Sequence, residues 1–125
     1  MNVPANLKYT KDHEWARLEG ANAVVGVTEY AQSQLGDVVY IELPKVGDVV
    51  SQGDVIGTIE AVKTVADIYS PVSGEIAAVN AALKDASELV NKDPYGEGWI
   101  ASIKLSDPSE LNALLTPADY DKLVG

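Results

Sequence analysis

One lysine, Lys63, stands between two strand-like runs that are almost free of other cations, within GDVIGTIEAVKTVADIYSPVSGEI at positions 53–76. The run before it, Val55-Ile56-Gly57-Thr58-Ile59, and the run after it, Val65-Ala66-Asp67-Ile68-Tyr69, are rich in the β-branched and aromatic residues that suit a pleated sheet. This spacing predicts a β-hairpin with Lys63 at or near its tip. A tip held by a rigid sheet is exposed, so an amine placed there can be reached by a modifying enzyme while its backbone stays in register. An ordinary solvated turn lysine would read the same from this segment, so the rest of the chain must decide.

Other chemical equipment is sparse. The chain has no cysteine and one histidine, which excludes disulfides, thiolate metal sites and a thiol nucleophile. Any redox chemistry must therefore come from an attached group. His13-Glu14-Trp15 lacks the second histidine of a zincin helix. Gly36, Gly47, Gly53, Gly74 and Gly96 fall singly before Asp or Glu, and no GxGxxG or GxxxxGK[ST] run occurs, so no nucleotide cradle is expected. No nucleophile and base pair can be assembled, and the chain does not read as an enzyme.

At 125 residues the chain has the length of one domain, expected to span 1–125. A hydrophobic fraction of 46% against 22% charged residues suits a globular protein and argues against disorder. No apolar run approaches the ~20 residues needed to span a bilayer, and the opening Met1-Asn2-Val3-Pro4-Ala5 resembles neither a signal nor a transit peptide. Cytoplasmic residence is the resulting expectation. The formal charge of −10 is spread along the chain; it disfavours nucleic acid and anionic membranes, and suits equally brief docking on basic patches of larger proteins and a surface that only aids solubility.

A mainly β fold is expected to position the lysine. Gly36-Asp37-Val38-Val39, Gly47-Asp48-Val49-Val50 and Gly53-Asp54-Val55-Ile56, with a looser echo at Gly74-Glu75-Ile76-Ala77, each read as a turn opening into a strand. Several short strands in a small sandwich or barrel follow. A short helix is predicted near 28–35, capped by Thr28 and stopped at Gly36. A C-terminal helical segment is predicted at about 107–124, in two pieces starting at Asp107-Pro108-Ser109-Glu110 and Thr116-Pro117-Ala118-Asp119. Between Asn80 and Trp99 the sequence reads as loop with room for one helical turn, and strand character resumes over Trp99–Leu105.

Glu60-Ala61-Val62-Lys63-Thr64 followed by Ser70-Pro71-Val72-Ser73-Gly74-Glu75 resembles the lipoyl-attachment region of the glycine cleavage system H protein family. His13-Glu14-Trp15, Gly26-Val27-Thr28-Glu29-Tyr30-Ala31, Leu35-Gly36-Asp37-Val38-Val39 and Asp93-Pro94-Tyr95 leading to Gly98-Trp99 match the same family in the same order, over about Lys8 to Leu123. Ala61 stands where the family often has serine.

The resemblance implies a lipoyl-domain-like hammerhead, a β-barrel-sandwich hybrid, with lipoate joined to Lys63 by a lipoylating enzyme. It implies a carrier and not a catalyst. In the family, the P protein (glycine decarboxylase) loads the aminomethyl group of glycine onto the arm. The T protein (aminomethyltransferase) releases ammonia and passes the one-carbon unit to tetrahydrofolate, and the L protein (dihydrolipoamide dehydrogenase) reoxidises the dithiol. Family members fold the loaded arm into a cleft, where a carboxylate facing its amine makes physical sense. The resemblance puts Glu14 first for that role, Asp67 second and Asp12 as an assistant, each otherwise a solvated surface carboxylate, while Glu60 is either a recognition point for the lipoylating enzyme or a solubilising strand end. A protein that must visit several enzymes is expected to be a monomer.

Alternatives remain open on the residues alone. A biotin carrier is disfavoured because such domains flank their lysine with methionines, and here Val62 and Thr64 do so. A lipoate relay to other proteins, or an unmodified scaffold of the same fold, is separated from the carrier by whether Lys63 accepts lipoate and passes it on.

Overall fold

The computed structural model describes residues 2–125. In chain order the strands are β1 (Lys8–Tyr9), β2 (Glu14–Glu19), β3 (Asn22–Val27), β4 (Val38–Glu42), β5 (Val49–Val50), β6 (Val55–Ala61), β7 (Val65–Tyr69), β8 (Gly74–Val79) and β9 (Ala101–Leu105). The helices are α1 (Glu29–Leu35), α2 (Leu89–Lys92) and α3 (Pro117–Val124), with 3-10 turns at Ala81–Lys84 and Pro108–Ala113. Six strands form one antiparallel sheet in the order β1-β2-β3-β9-β8-β5, and three form a second in the order β4-β6-β7. This is the sandwich form of the expected β architecture; among the described residues no pairing closes the two sheets into a barrel.

Strand alternation decides what lies between the sheets. Ile41, Ile59 and Ile68 of the small sheet are at most 2% exposed, as are Ile76 and Ile103 of the large one, and they share one core cluster. Burying each such side chain is worth roughly 1.5–3 kcal/mol. A smaller cluster of Leu7, Tyr9, Trp15, Val24 and Tyr120 seats α3 against the large sheet.

The expected turns and caps are formed. Gly47 and Gly53 have φ of 95° and 91° and open β5 and β6 one residue later than the aspartates that follow them, a conformation that side chains resist. Thr28 caps α1 by accepting from the Ala31 N–H at 3.2 Å, and the helix ends at Gly36 with φ 79°. Both C-terminal pieces are capped as expected, by Asp107 and Thr116, but the first is a 3-10 turn and not an α-helix. Its Glu110 turns away from the cap and accepts from Ser73 N and Ser73 Oγ at 2.7 and 2.8 Å, fastening the segment to the turn before β8.

Two further departures are instructive. The stretch expected as loop with one helical turn holds two, because Leu83 and Val90 both reach the core. Asn91 then ties this region to α1 and β4, with its side chain accepting from Val38 N at 2.9 Å and donating to Gly36 O at 2.8 Å. The last strand starts at Ala101, not Trp99, because the Trp99 N–H bonds back to Gly96 O within a turn.

Candidate functional site

Hairpin β6–β7 pairs Thr58 with Asp67, Ile59 with Ala66 and Glu60 with Val65, which leaves Val62, Lys63 and Thr64 outside the ladder. Ala61 N–H to Thr64 O at 2.8 Å closes the turn, and Val62 N–H to Asp37 O at 3.1 Å fastens it to the chain just before β4. Lys63 is thus exposed on a tip whose backbone is held from two sides. Gly57 lets the hairpin lie against β4, since a Cβ there would strike the Glu42 carbonyl. Glu60 points outward, opposite exposed Tyr40 and Val65.

Beside the hairpin lies a mostly apolar cleft of about 350 Å³ between α1, the start of β2 and strands β6 and β7. Asp12, Glu14 and Asp67 all border it, with Tyr30, Ala31 and Leu35 of α1 on one side and Ile59 and Ala66 on another. The structure therefore gathers three of the four candidate acids around one cavity and leaves Glu60 outside it. Asp12 and Asp67 are exposed, whereas Glu14 is 2% exposed.

Glu14 is held at both oxygens. Thr10 Oγ1 donates to Oε1 at 2.6 Å and Tyr69 N–H donates to Oε2 at 3.2 Å. Thr10 also accepts from the Glu14 and Asp12 N–H groups at 3.1 and 3.2 Å, so one hydroxyl shapes the loop that presents both acids. Burial pushes the Glu14 carboxyl up to about 7, against the opposing effect of the Thr10 and Tyr69 hydrogen bonds and with a smaller upward push from Asp12.

That shift has a consequence for stability. Unfolded Glu14 releases its proton near 4.5, whereas folded Glu14 keeps it to about 7. Between those values the native state binds more protons, so stability is expected to fall as pH rises and to level off above 7. The fall is expected to be about 3 kcal/mol. Urea titrations across this window should show the decline, and Glu14→Gln should remove most of it; an equal slope in the variant would contradict the assignment.

Two side chains of the site carry no sequence signal that distance in the chain would reveal. Thr10 sits four residues before Glu14 in an unremarkable turn, and Tyr120 reaches His13 of the cleft from α3; Tyr30, within a motif shared with the family, faces the cleft from α1.

An exposed lysine on a braced hairpin, next to an apolar cleft edged with carboxylates and carried by two stacked sheets, defines the class of lysine-tipped carrier domains. Comparison with known proteins narrows the class. Residues 7–125 match the family model described as glycine cleavage H-protein. The glycine cleavage system H protein of Chlorobaculum tepidum is 55% identical over 127 residues, covering 100% of this chain and 99% of that one. That of Symbiobacterium thermophilum is 55% identical over 120 residues, covering 96% and 94%. A crystal structure of a glycine cleavage system H protein from Mycobacterium marinum superposes with a TM-score of 0.87 at 40% identity, over 96% of this chain and 97% of that one. The chain belongs to the glycine cleavage H-protein family, whose members are non-catalytic carriers.

Proposed function

We propose that the chain, as one carrier domain over residues 1–125, holds lipoate in amide linkage on Lys63 and works in the glycine cleavage system among the P, T and L proteins. The observation that carries this reading is Lys63 itself: an exposed amine on a tip fixed by the Ala61–Thr64 and Val62–Asp37 backbone bonds. When bound, lipoate supplies a disulfide that can be opened, loaded and closed again. The residues present suit it. Asp67 follows Lys63 by four residues, which puts its Cα at most roughly 14 Å away, a span that a lipoyl-extended lysine can cover, and the apolar cleft suits its hydrocarbon chain.

Glu14, with Asp67 and Asp12, would receive the protonated amine of a loaded arm. An ion pair at ~4 Å is worth roughly 1 kcal/mol in water and 4 near a protein surface. That is enough to retain the group and still surrender it to a partner. Because burial, with a smaller push from Asp12, keeps Glu14 protonated up to about 7, an arriving ammonium would draw the proton off, so retention should weaken as pH falls below neutrality. Glu14→Gln is expected to quicken loss of the loaded group to water at least about fivefold, the factor that corresponds to ~1 kcal/mol; ammonia release measures it, and an unchanged rate would remove Glu14 from this role.

Glu60, outward on the hairpin, would be read by the lipoylating enzyme. Cytoplasmic residence and a monomeric state complete the proposal; among the described residues no helix is long and apolar enough to cross a membrane. The direct test is glycine-dependent carbon dioxide release by P protein. The lipoylated chain should support it and the bare chain should not, and equal activity with both would overturn the reading in favour of an unmodified scaffold.

A further inference from the structure

Beside strands β6 and β7, two elements wall the cleft, and they already touch through Thr28 N–H to His13 O at 3.0 Å and through the His13 and Tyr30 rings, with centroids 4.7 Å apart. One is the loop carrying Asp12, His13 and Glu14; the other is α1, with Tyr30, Ala31 and Leu35. His13 adopts φ 69°, a left-handed conformation that costs a non-glycine residue roughly 1–2 kcal/mol, so something must hold the loop in this shape. Helix α3 lends no residue to the cleft lining. Yet its fully buried Tyr120 reaches both walls at once.

The Tyr120 hydroxyl lies 2.8 Å from His13 Nδ1 and 2.7 Å from Thr28 Oγ1. Thr28 is the cap of α1, its Oγ1 accepting from Ala31 N–H, and its own N–H donates to His13 O at 3.0 Å. A consistent polarity runs through these contacts when Nδ1 is the acceptor: Thr28 donates to Tyr120, and Tyr120 donates to His13. The Tyr120 ring is fixed in turn by stacking on Tyr9, with centroids 4.6 Å apart and planes 8° from parallel. The hydroxyl of one residue near the C-terminus therefore joins a loop 107 residues earlier to a helix cap 92 residues earlier.

We propose that Tyr120 is a positioning residue that locks the two walls of the cleft together, so that α3, without touching the arm, sets how firmly the loaded arm is held. The second half of this inference rests on the cleft being the arm's seat. The first half does not, since it concerns the walls alone.

Tyr120→Phe removes the hydroxyl and keeps the stack on Tyr9. Tyr9→Phe is the matching control, because it loses the hydrogen bond to Pro4 O and leaves both walls untouched. In the chain without lipoate, amide hydrogen exchange at Glu14, Thr28 and Ala31 is expected to quicken about tenfold in Tyr120→Phe, the scale of one buried hydrogen bond, and to stay near the parent rate in Tyr9→Phe. His13→Gly cuts the same link from the other end and accommodates the positive φ, but it also loses the His13 ring's contact with Tyr30, 4.7 Å between centroids; with Tyr30→Ala as its control for that contact, it should quicken exchange at Thr28 and Ala31 beyond the control even if Tyr120→Phe folds poorly. Unchanged exchange in both variants, or equal quickening in Tyr9→Phe, would overturn the lock.

In the loaded protein, loss of the group to water is expected to quicken about fivefold in Tyr120→Phe. If Glu14→Gln quickens it and Tyr120→Phe does not, the control by α3 is wrong and the cleft still seats the arm. If neither quickens it, the cleft is not the seat and both readings fall.

Discussion

Lys63→Arg is expected to reduce glycine-dependent carbon dioxide release, in the presence of P protein and a lipoylating enzyme, to the level seen with no carrier added. Arginine keeps the positive charge and most of the aliphatic stem, so the surface presented to a partner changes little. Its guanidinium stays protonated at any workable pH and is no acyl acceptor. Lys63 is exposed, and the bonds that shape its turn come from the backbone of Ala61, Thr64, Val62 and Asp37. Stability should therefore change by less than about 0.5 kcal/mol, which separates loss of the attachment point from loss of the hairpin. Residual activity well above background, with an unchanged melting curve, would mean that function does not run through this amine.

The largest effect on folding is expected from Trp15→Ala, at about 4 kcal/mol. Trp15 is fully buried, and its Nε1–H is shared between Val27 O and Pro94 O, both at 3.0 Å. The indole lies over Gly26, where an added Cβ would sit 2.7 Å from the ring; no other residue type leaves room for it. Truncation opens a cavity and strands two carbonyls, a cost beyond the lost apolar burial. Urea unfolding measures the loss, and a value under about 1.5 kcal/mol would show that the neighbourhood collapses to fill the space. Trp15 stands in β2 of the large sheet and Lys63 on the small one. Lipoylation per folded molecule should thus persist in this variant.

The contrast between these residues also shows what the sequence could tell. The Lys63 hairpin was legible because strand composition and turn chemistry are local, and so were the Thr28, Asp107 and Thr116 caps. The turns at Ala81–Lys84 and Leu89–Lys92 were not fully legible, because Leu83 and Val90 are single apolar contacts and leave no helical period. Glu110 read as part of a cap and instead holds Ser73, a partner 37 residues away. The cleft was hardest to read. Spacing gives no reason to join Glu14 to Tyr69 across 55 residues, and only the family resemblance suggested that Asp12, Glu14 and Asp67 converge. Thr10 and Tyr120 escaped both routes, since their work depends on hydroxyl positions that only the folded chain defines.

The most direct measurement is the intact mass of the purified chain after incubation with a lipoate-protein ligase, lipoate and ATP, followed by peptide mapping. The account predicts a single lipoyl adduct on the peptide that contains Lys63 and none on the Lys63→Arg chain. No adduct, with a known H protein modified in the same reaction, or an adduct on another lysine, would contradict it.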